Sequence, residues 1–200
     1  MTVPDWESAK SAPPWRDLPG APEGVGVLEL RDHADDRGVF TELFRSSWGL
    51  GVDPVQWNVV RSEANVLRGV HVHPVHDDLL TVATGRAVIG LRDLRTDSPS
   101  LGAAALVELN ETDPGLIRIP HGVAHGFLFL ERSLHVYAVS HAWHPDDERL
   151  CRWDDPALGI DWPVEHPCLS ERDGAAAGLA EMVEPIPWLS AGVAEAPSGV

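Results

Sequence analysis

The amino-acid sequence predicts an all-β domain, an antiparallel sandwich or barrel, on three grounds. Short apolar-rich runs recur at about ten-residue intervals. Several alternate apolar and polar side chains over five to seven positions, the period of a half-buried strand. No long amphipathic helical pattern lies between them.

The elements follow in order. Residues 1–25, rich in Pro, Gly and Ala with little periodicity, read as an extended arm. One barrel domain is expected over 26–185. Its strands are GVLEL (26–30), VFTELF (39–44), QWNVV (56–60), VLRGVHV (66–72) and LLTVA (79–83), then AVIGLRDL (87–94), AAALVEL (103–109), LIRI (116–119), AHGFLFL (124–130) and LHVYAVS (134–140). The separators TGR, TDSPS, NETDPG and PHG are turn-formers. Beyond 145 the chain is irregular and Trp/Pro-rich, with a short helix expected near 174–182 and a loose tail over 186–200.

Bulk properties narrow the function classes. Two hundred residues with 44% hydrophobic content suit one domain with a full core. No apolar run approaches the roughly 20 residues of a membrane helix, and residues 1–20 have neither the basic start nor the apolar stretch of a secretory leader. Cys151 and Cys168 are too few for a disulfide framework, so a cytoplasmic location is expected. The net charge of −16 argues against nucleic acid or an anionic membrane as a partner. A small phosphorylated ligand stays open, because a few arginines in one cleft outweigh a diffuse field that salt screens beyond roughly 8–10 Å. Of the 15 basic residues only Lys10 is a lysine, and its place in the arm argues against lysine-based catalysis.

The polar residues that could carry chemistry fall in four places. In LRGVHVHPVHDDLLTVATG (67–85), His71 and His73 lie two apart and so share a strand face. Arg68, three before His71, points the other way in an ideal strand, and a bulge at Gly69 would re-aim it. IPHGVAHGF (119–127) is a turn leading into a strand that carries His125; Tyr137 in LHVYAVS is the only tyrosine; LSERD (169–173) ends in Asp173. A histidine is a suitable base near neutral pH, a carboxylate on its other nitrogen fixes the tautomer, and a phenol on the opposite wall can return a proton to the other face of a carbon.

At this point DDRGVFTELF, QWN, LRGVHVH, LRDLRTDSPSLG, IPHGVAHGF, WDDPALGIDWP and LSERD, in that order over about residues 25–182, resemble the dTDP-4-dehydrorhamnose 3,5-epimerase family. The resemblance implies a cupin barrel (a double-stranded β-helix, or jelly roll) with a short C-terminal helical segment. It implies an isomerase that epimerises a nucleotide-linked 4-keto-6-deoxy sugar without a cofactor. His71 would be the base, Asp173 its partner and Tyr137 the acid. Arg37, Glu42, Gln56, Asn58, Arg68 and His125 would contact the nucleotide sugar. The Arg37–Glu42 segment would reach the neighbouring subunit's site, which implies a homodimer.

The chain also departs from that family. His73 stands where relatives have glutamine, Asp78 where they have a lysine beside the developing oxyanion, and Thr81 where they have arginine; the loop before this strand is shorter than theirs. Losing a preorganised oxyanion donor typically costs about 3–4 kcal/mol in the transition state. The same changes make His71-x-His73-x4-Asp78-x6-Gly85 with Pro120-x-Gly122-x2-His125 similar to the two motifs of metallo-cupins, with Asp for the usual Glu. Three functions are therefore open: an epimerase, a metal-dependent cupin using His71, His73, Asp78 and His125, or a sugar-nucleotide-binding cupin without catalysis.

Overall fold

Each of the ten runs becomes a strand in the computed structural model, which describes residues 11–189 apart from the side chain of Asp146. They are β2 (Gly26–Glu29), β4 (Gly38–Thr41), β5 (Gln56–Ser62), β6 (Leu67–Val72), β7 (Asp78–Thr84), β8 (Arg86–Asp93), β9 (Ala104–Asn110), β10 (Gly115–Ile119), β11 (Val123–Phe129) and β12 (Ser133–Val139). Three short strands have no apolar alternation to announce them: β1 (Trp15–Arg16), β3 (Asp32–Asp35) and β13 (Arg149–Leu150). They form by pairing with longer neighbours, Trp15 opposite Leu28, Asp32 opposite Thr41 and Arg149 opposite Val72. Thus part of the expected arm is an edge strand. The expected tail starts too early, because Ile186 and Leu189 are buried with Leu179 and Met182; Lys10 with the rest of 1–10, and 190–200, lie outside the described residues.

The strands make two antiparallel sheets, β1–β2–β10–β7–β12–β5 and β13–β6–β11–β8–β9, with β3–β4 as a separate hairpin. The two sheets enclose a core that includes Val27, Leu80, Ile89, Leu91, Ile117 and Phe129. Both outer faces are covered as well. Trp48, Leu50 and Val52 pack with Leu28, Leu79 and Leu116 of the six-stranded sheet. The irregular C-terminal stretch brings Leu158, Trp162, Leu179 and Met182 onto Leu67, Val72 and Leu128 of the other. Each such leucine contributes about 2 kcal/mol by leaving water. Double coverage explains why β7 and β8 are buried almost continuously instead of alternating. Gly90 admits the Trp162 indole, because a Cβ there would lie 2.5 Å from the ring.

Two local features place the site. In the β6–β11 ladder His71 faces His125 and Arg68 faces Phe127, so three steps along β6 match two along β11. This is the expected bulge. Gly69 takes φ +109°, and a Cβ on it would stand 2.8 Å from the His125 carbonyl oxygen. Arg68 and His71 consequently line one cavity despite their three-residue spacing.

The helix expected near 174–182 is instead two, α1 (Glu171–Gly174) and α2 (Leu179–Val183). The linking backbone is tied elsewhere: Arg152 N donates to Ala177 O (2.8 Å), and Leu179 N donates to Asp155 Oδ2 (2.9 Å). The earlier start puts Asp173 inside the first turn of α1.

Candidate active site

Between the sheets lies a cavity of about 240 Å³ lined by both walls. His71 of β6 enters it from the five-stranded sheet, its side chain 17% exposed. Its Nε2 donates to Asp173 Oδ1 at 3.0 Å. Ser170 caps α1: its Oγ accepts from Asp173 N at 3.0 Å and donates to Asp173 Oδ2 at 2.8 Å. Burial opposes ionisation of Asp173, but the bonds from His71 and Ser170 outweigh it and hold the carboxyl below its usual range. The ionised partner keeps the proton on Nε2 and leaves Nδ1 as the basic nitrogen. Nδ1 is 3.3 Å from Glu148 Oε1, and Glu148 Oε2 is 2.5 Å from Arg172 Nη2. A protonated imidazole would therefore meet a carboxylate on each side.

Tyr137 faces the same cavity from the other sheet, where β12 sets it opposite Leu80 of β7 and Asn58 of β5. Burial, with the charges of Asp78 and Glu148, raises its phenol pKa, so the hydroxyl stays protonated and can donate. Arg68 lines the cavity and anchors through Nε to Ser62 Oγ (3.0 Å). His135 shares Tyr137's face of β12 and stacks on Phe129, centroids 4.9 Å apart; burial lowers its pKa to about 4.

A second cluster of polar side chains lies in the same cavity. Asp78 Oδ2 is 4.0 Å from His73 Nε2 and from His125 Nε2, and Asp78 Oδ1 is 3.9 Å from His76 Nε2. Burial raises the Asp78 pKa well above the carboxylate range, with the charges of Asp77 and Glu148 adding to it. Burial likewise lowers His73 and His76, and brings His125 to about 3. His125 Nδ1 donates to Val123 O (3.0 Å), leaving Nε2 as a lone pair toward Asp78. The geometry groups these side chains differently from the alternative metal set of the sequence: His71 is bonded to Asp173, while His73, His76 and Asp78 offer donor atoms within 4.8 Å of one another.

Four expected ligand residues do not line this cavity. Arg37 sits exposed at the β3–β4 turn and pairs with Asp35 at 2.5 Å. Glu42 is bridged by Arg45 at 2.8 and 2.9 Å. Gln56 Nε2 donates to Asn58 Oδ1 (3.0 Å), while Gln56 Oε1 accepts from Trp143 N (3.0 Å). Both share a strand face with Val60, which does reach the cavity. Glu148, Arg172 and His76 went unnoticed because each lies outside the periodic strands, where spacing says nothing about direction.

Comparison with known proteins gives the family. The family model for dTDP-4-dehydrorhamnose 3,5-epimerase matches residues 21–181. The Bacillus subtilis spore coat polysaccharide biosynthesis protein SpsL is 37% identical over 72% of this chain and 97% of its own length. The dTDP-4-dehydrorhamnose 3,5-epimerase of Pseudomonas aeruginosa is 36% identical over 78% of this chain and 92% of its own. The structure of dTDP-6-deoxy-D-glucose-3,5-epimerase RmlC from Legionella pneumophila, in complex with dTDP-4-keto-L-rhamnose, superposes with a TM-score of 0.78 at 30% identity, covering 88% of this chain and 97% of that one. With its antiparallel barrel, its part-buried His–Asp pair and a family match across most of its length, this chain belongs to the dTDP-4-dehydrorhamnose 3,5-epimerase family.

Proposed function

We propose that this protein epimerises a nucleotide-linked 4-keto-6-deoxy sugar, at C3, C5 or both. The observation that carries the reading is one cavity lined by His71 of one sheet, bonded to Asp173 of α1, and by Tyr137 of the other sheet. His71 Nδ1 removes the hydrogen beside the ketone. Asp173, bonded to Nε2–H, stabilises the imidazolium as the enolate forms. Tyr137 then delivers its proton to the opposite face, which inverts the centre. Arg68 and His125 contact the substrate from the same cavity, and no cofactor is needed for this exchange.

The reading extends to a homodimer. Val39 and Phe40 of the hairpin are 62% and 61% exposed, and Trp57 and Val59 lie exposed on the edge strand β5. Pairing along these surfaces would bring Arg37 and Glu42 to the neighbouring cavity, with Gln56 and Asn58 at its margin. The functional unit is then one barrel domain, working in the cytoplasm without nucleic-acid or membrane partners. No helix of the described residues is long and apolar enough to cross a membrane.

Incubation with dTDP-4-keto-6-deoxyglucose in deuterated water tests the activity. Deuterium is expected at C3, C5 or both, with an epimerised product. Recovery of unlabelled, uninverted sugar would reject it.

A further inference from the structure

The cavity holds more buried titratable side chains than proton transfer uses. His73, His76 and Asp78 each offer a donor atom within 4.8 Å of the other two, and all three are buried. Nδ1 of His73 and both ring nitrogens of His76 have no hydrogen-bond partner among the described residues, although each is sealed from solvent. A buried nitrogen without a partner is costly, so three of them on two side chains, beside a buried carboxylate, call for a ligand.

The distances identify the ligand's chemistry. The His73, His76 and His125 Nε2 atoms stand 4.0, 3.9 and 4.0 Å from the Asp78 carboxylate oxygens. That is too far for hydrogen bonds, which end near 3.2 Å. Two donors held about 2.1 Å from one ion stand roughly 3–4 Å apart, the upper end of which these pairs reach. The rings of His73 and His76 are stacked with centroids 4.0 Å apart, so they approach the carboxylate side by side. The bond from His125 Nδ1 to Val123 O fixes its tautomer with Nε2 free, the arrangement that backbone carbonyls impose on metal-bound imidazoles. Imidazole nitrogens with one carboxylate suit Zn(II), Fe(II), Co(II) or Ni(II), and are a poor match for Mg(II) or Ca(II).

We propose that His73, His76 and Asp78, with His125 as the adjacent fourth donor, bind one divalent transition-metal ion in the wall of the cavity shared by His71 and Tyr137. The site does not depend on the epimerase reading, and its test needs no sugar substrate.

The untagged full-length protein, stripped with chelator and dialysed, is titrated with Co(II) and then Zn(II). One equivalent of Co(II) is expected to bind with visible d–d absorption, displaced by one equivalent of Zn(II), with a rise in Tm. His76→Gln and Asp78→Asn are each expected to weaken binding at least tenfold, while His166→Gln, an exposed histidine outside the cavity, leaves it unchanged. Circular dichroism establishes that each variant is folded; should Asp78→Asn not fold, His76→Gln and His73→Gln carry the comparison. Absence of stoichiometric binding overturns the proposal, as does binding that is equally tight in the His76 and His73 variants. Deuterium uptake is scored separately, so loss of either reading leaves the other standing.

Discussion

Replacing Asp173 with asparagine removes one charge and almost no volume, so its effect isolates what the carboxylate does for His71. The carboxylate sits 3.0 Å from Nε2. With an effective dielectric of about 20, an imidazolium–carboxylate pair at that separation attracts by about 5 kcal/mol. Most of this attraction exists only after His71 has taken the substrate's proton, so it lowers the transition state more than it strengthens binding. Asparagine also inverts the local pattern. Ser170 Oγ donates to the second carboxylate oxygen, so the amide oxygen turns toward Ser170 and the amide N–H₂ toward His71. The imidazole must then accept at Nε2 and carry its proton on Nδ1, the nitrogen that has to act as base. The expected fall in kcat is roughly 10²–10⁴-fold, about 3–5 kcal/mol, with KM within a few-fold of wild type. Initial rates are measured with thermal melts of both proteins. A well-folded Asp173→Asn enzyme within tenfold of wild-type kcat, or one altered only in KM, would refute the assignment of His71 as base.

Tyr137→Phe is expected to lose inverted product by about 10²-fold or more while still exchanging the substrate's proton with deuterated water, because abstraction from His71's side survives and only delivery to the other face is lost; mass spectrometry and product stereochemistry separate the two. Gly69→Ala forces a Cβ to within 2.8 Å of the His125 carbonyl oxygen at φ +109°, for about 3 kcal/mol, which for a chain of this size lowers Tm by about 6–12 °C; an unchanged Tm would mean that the bulge is not needed. Asp93 is fully buried; burial opposes its ionisation, but Arg95, Ser98 and Ser100 bring its pKa down from 3.8 to about 2. A folded pKa below the unfolded one stabilises above pH 3.8 and is lost as pH falls toward 2, worth about 2 kcal/mol at neutral pH and roughly half that at pH 3. The stability gap between wild type and Asp93→Asn in urea melts should narrow accordingly on acidification, and a gap independent of pH would contradict it.

The strands were legible because their apolar residues face a core on at least one side. Even β7 and β8, buried on both faces, announce themselves as continuous apolar runs between turn residues. What the pattern does not carry is any element made by backbone pairing alone: β3 is exposed at every position, so nothing in DHAD predicts it. The helix boundary was misplaced for a similar reason. AAAG reads as helical locally, but two bonds to the 152–155 turn hold that backbone elsewhere. At the site, the pairing of His71 with Asp173, 102 residues apart, came from resemblance and not from spacing. The bulge at Gly69 was inferable, since only a backbone irregularity lets Arg68 and His71 share a face. His76 was not, because Pro74 ends the alternation that would have fixed its direction.

The two polar clusters divide the cavity by the charge each can hold. On the His71 side, hydrogen bonds from Ser170 and His71 keep Asp173 ionised despite its burial, and Arg172 pairs with Glu148, so a positive imidazolium is stabilised when it appears. On the Asp78 side the neighbouring groups are the imidazoles of His73, His76 and His125, whose burial disfavours protonation. A lysine at position 78 would supply a positive charge there permanently; an aspartate among three histidines supplies it only by taking up a cation. The sign of the potential facing a developing enolate thus depends on what occupies that corner. With aspartate at position 78, the proposed proton-transfer residues His71, Asp173 and Tyr137 share their cavity with a corner whose charge depends on its occupant.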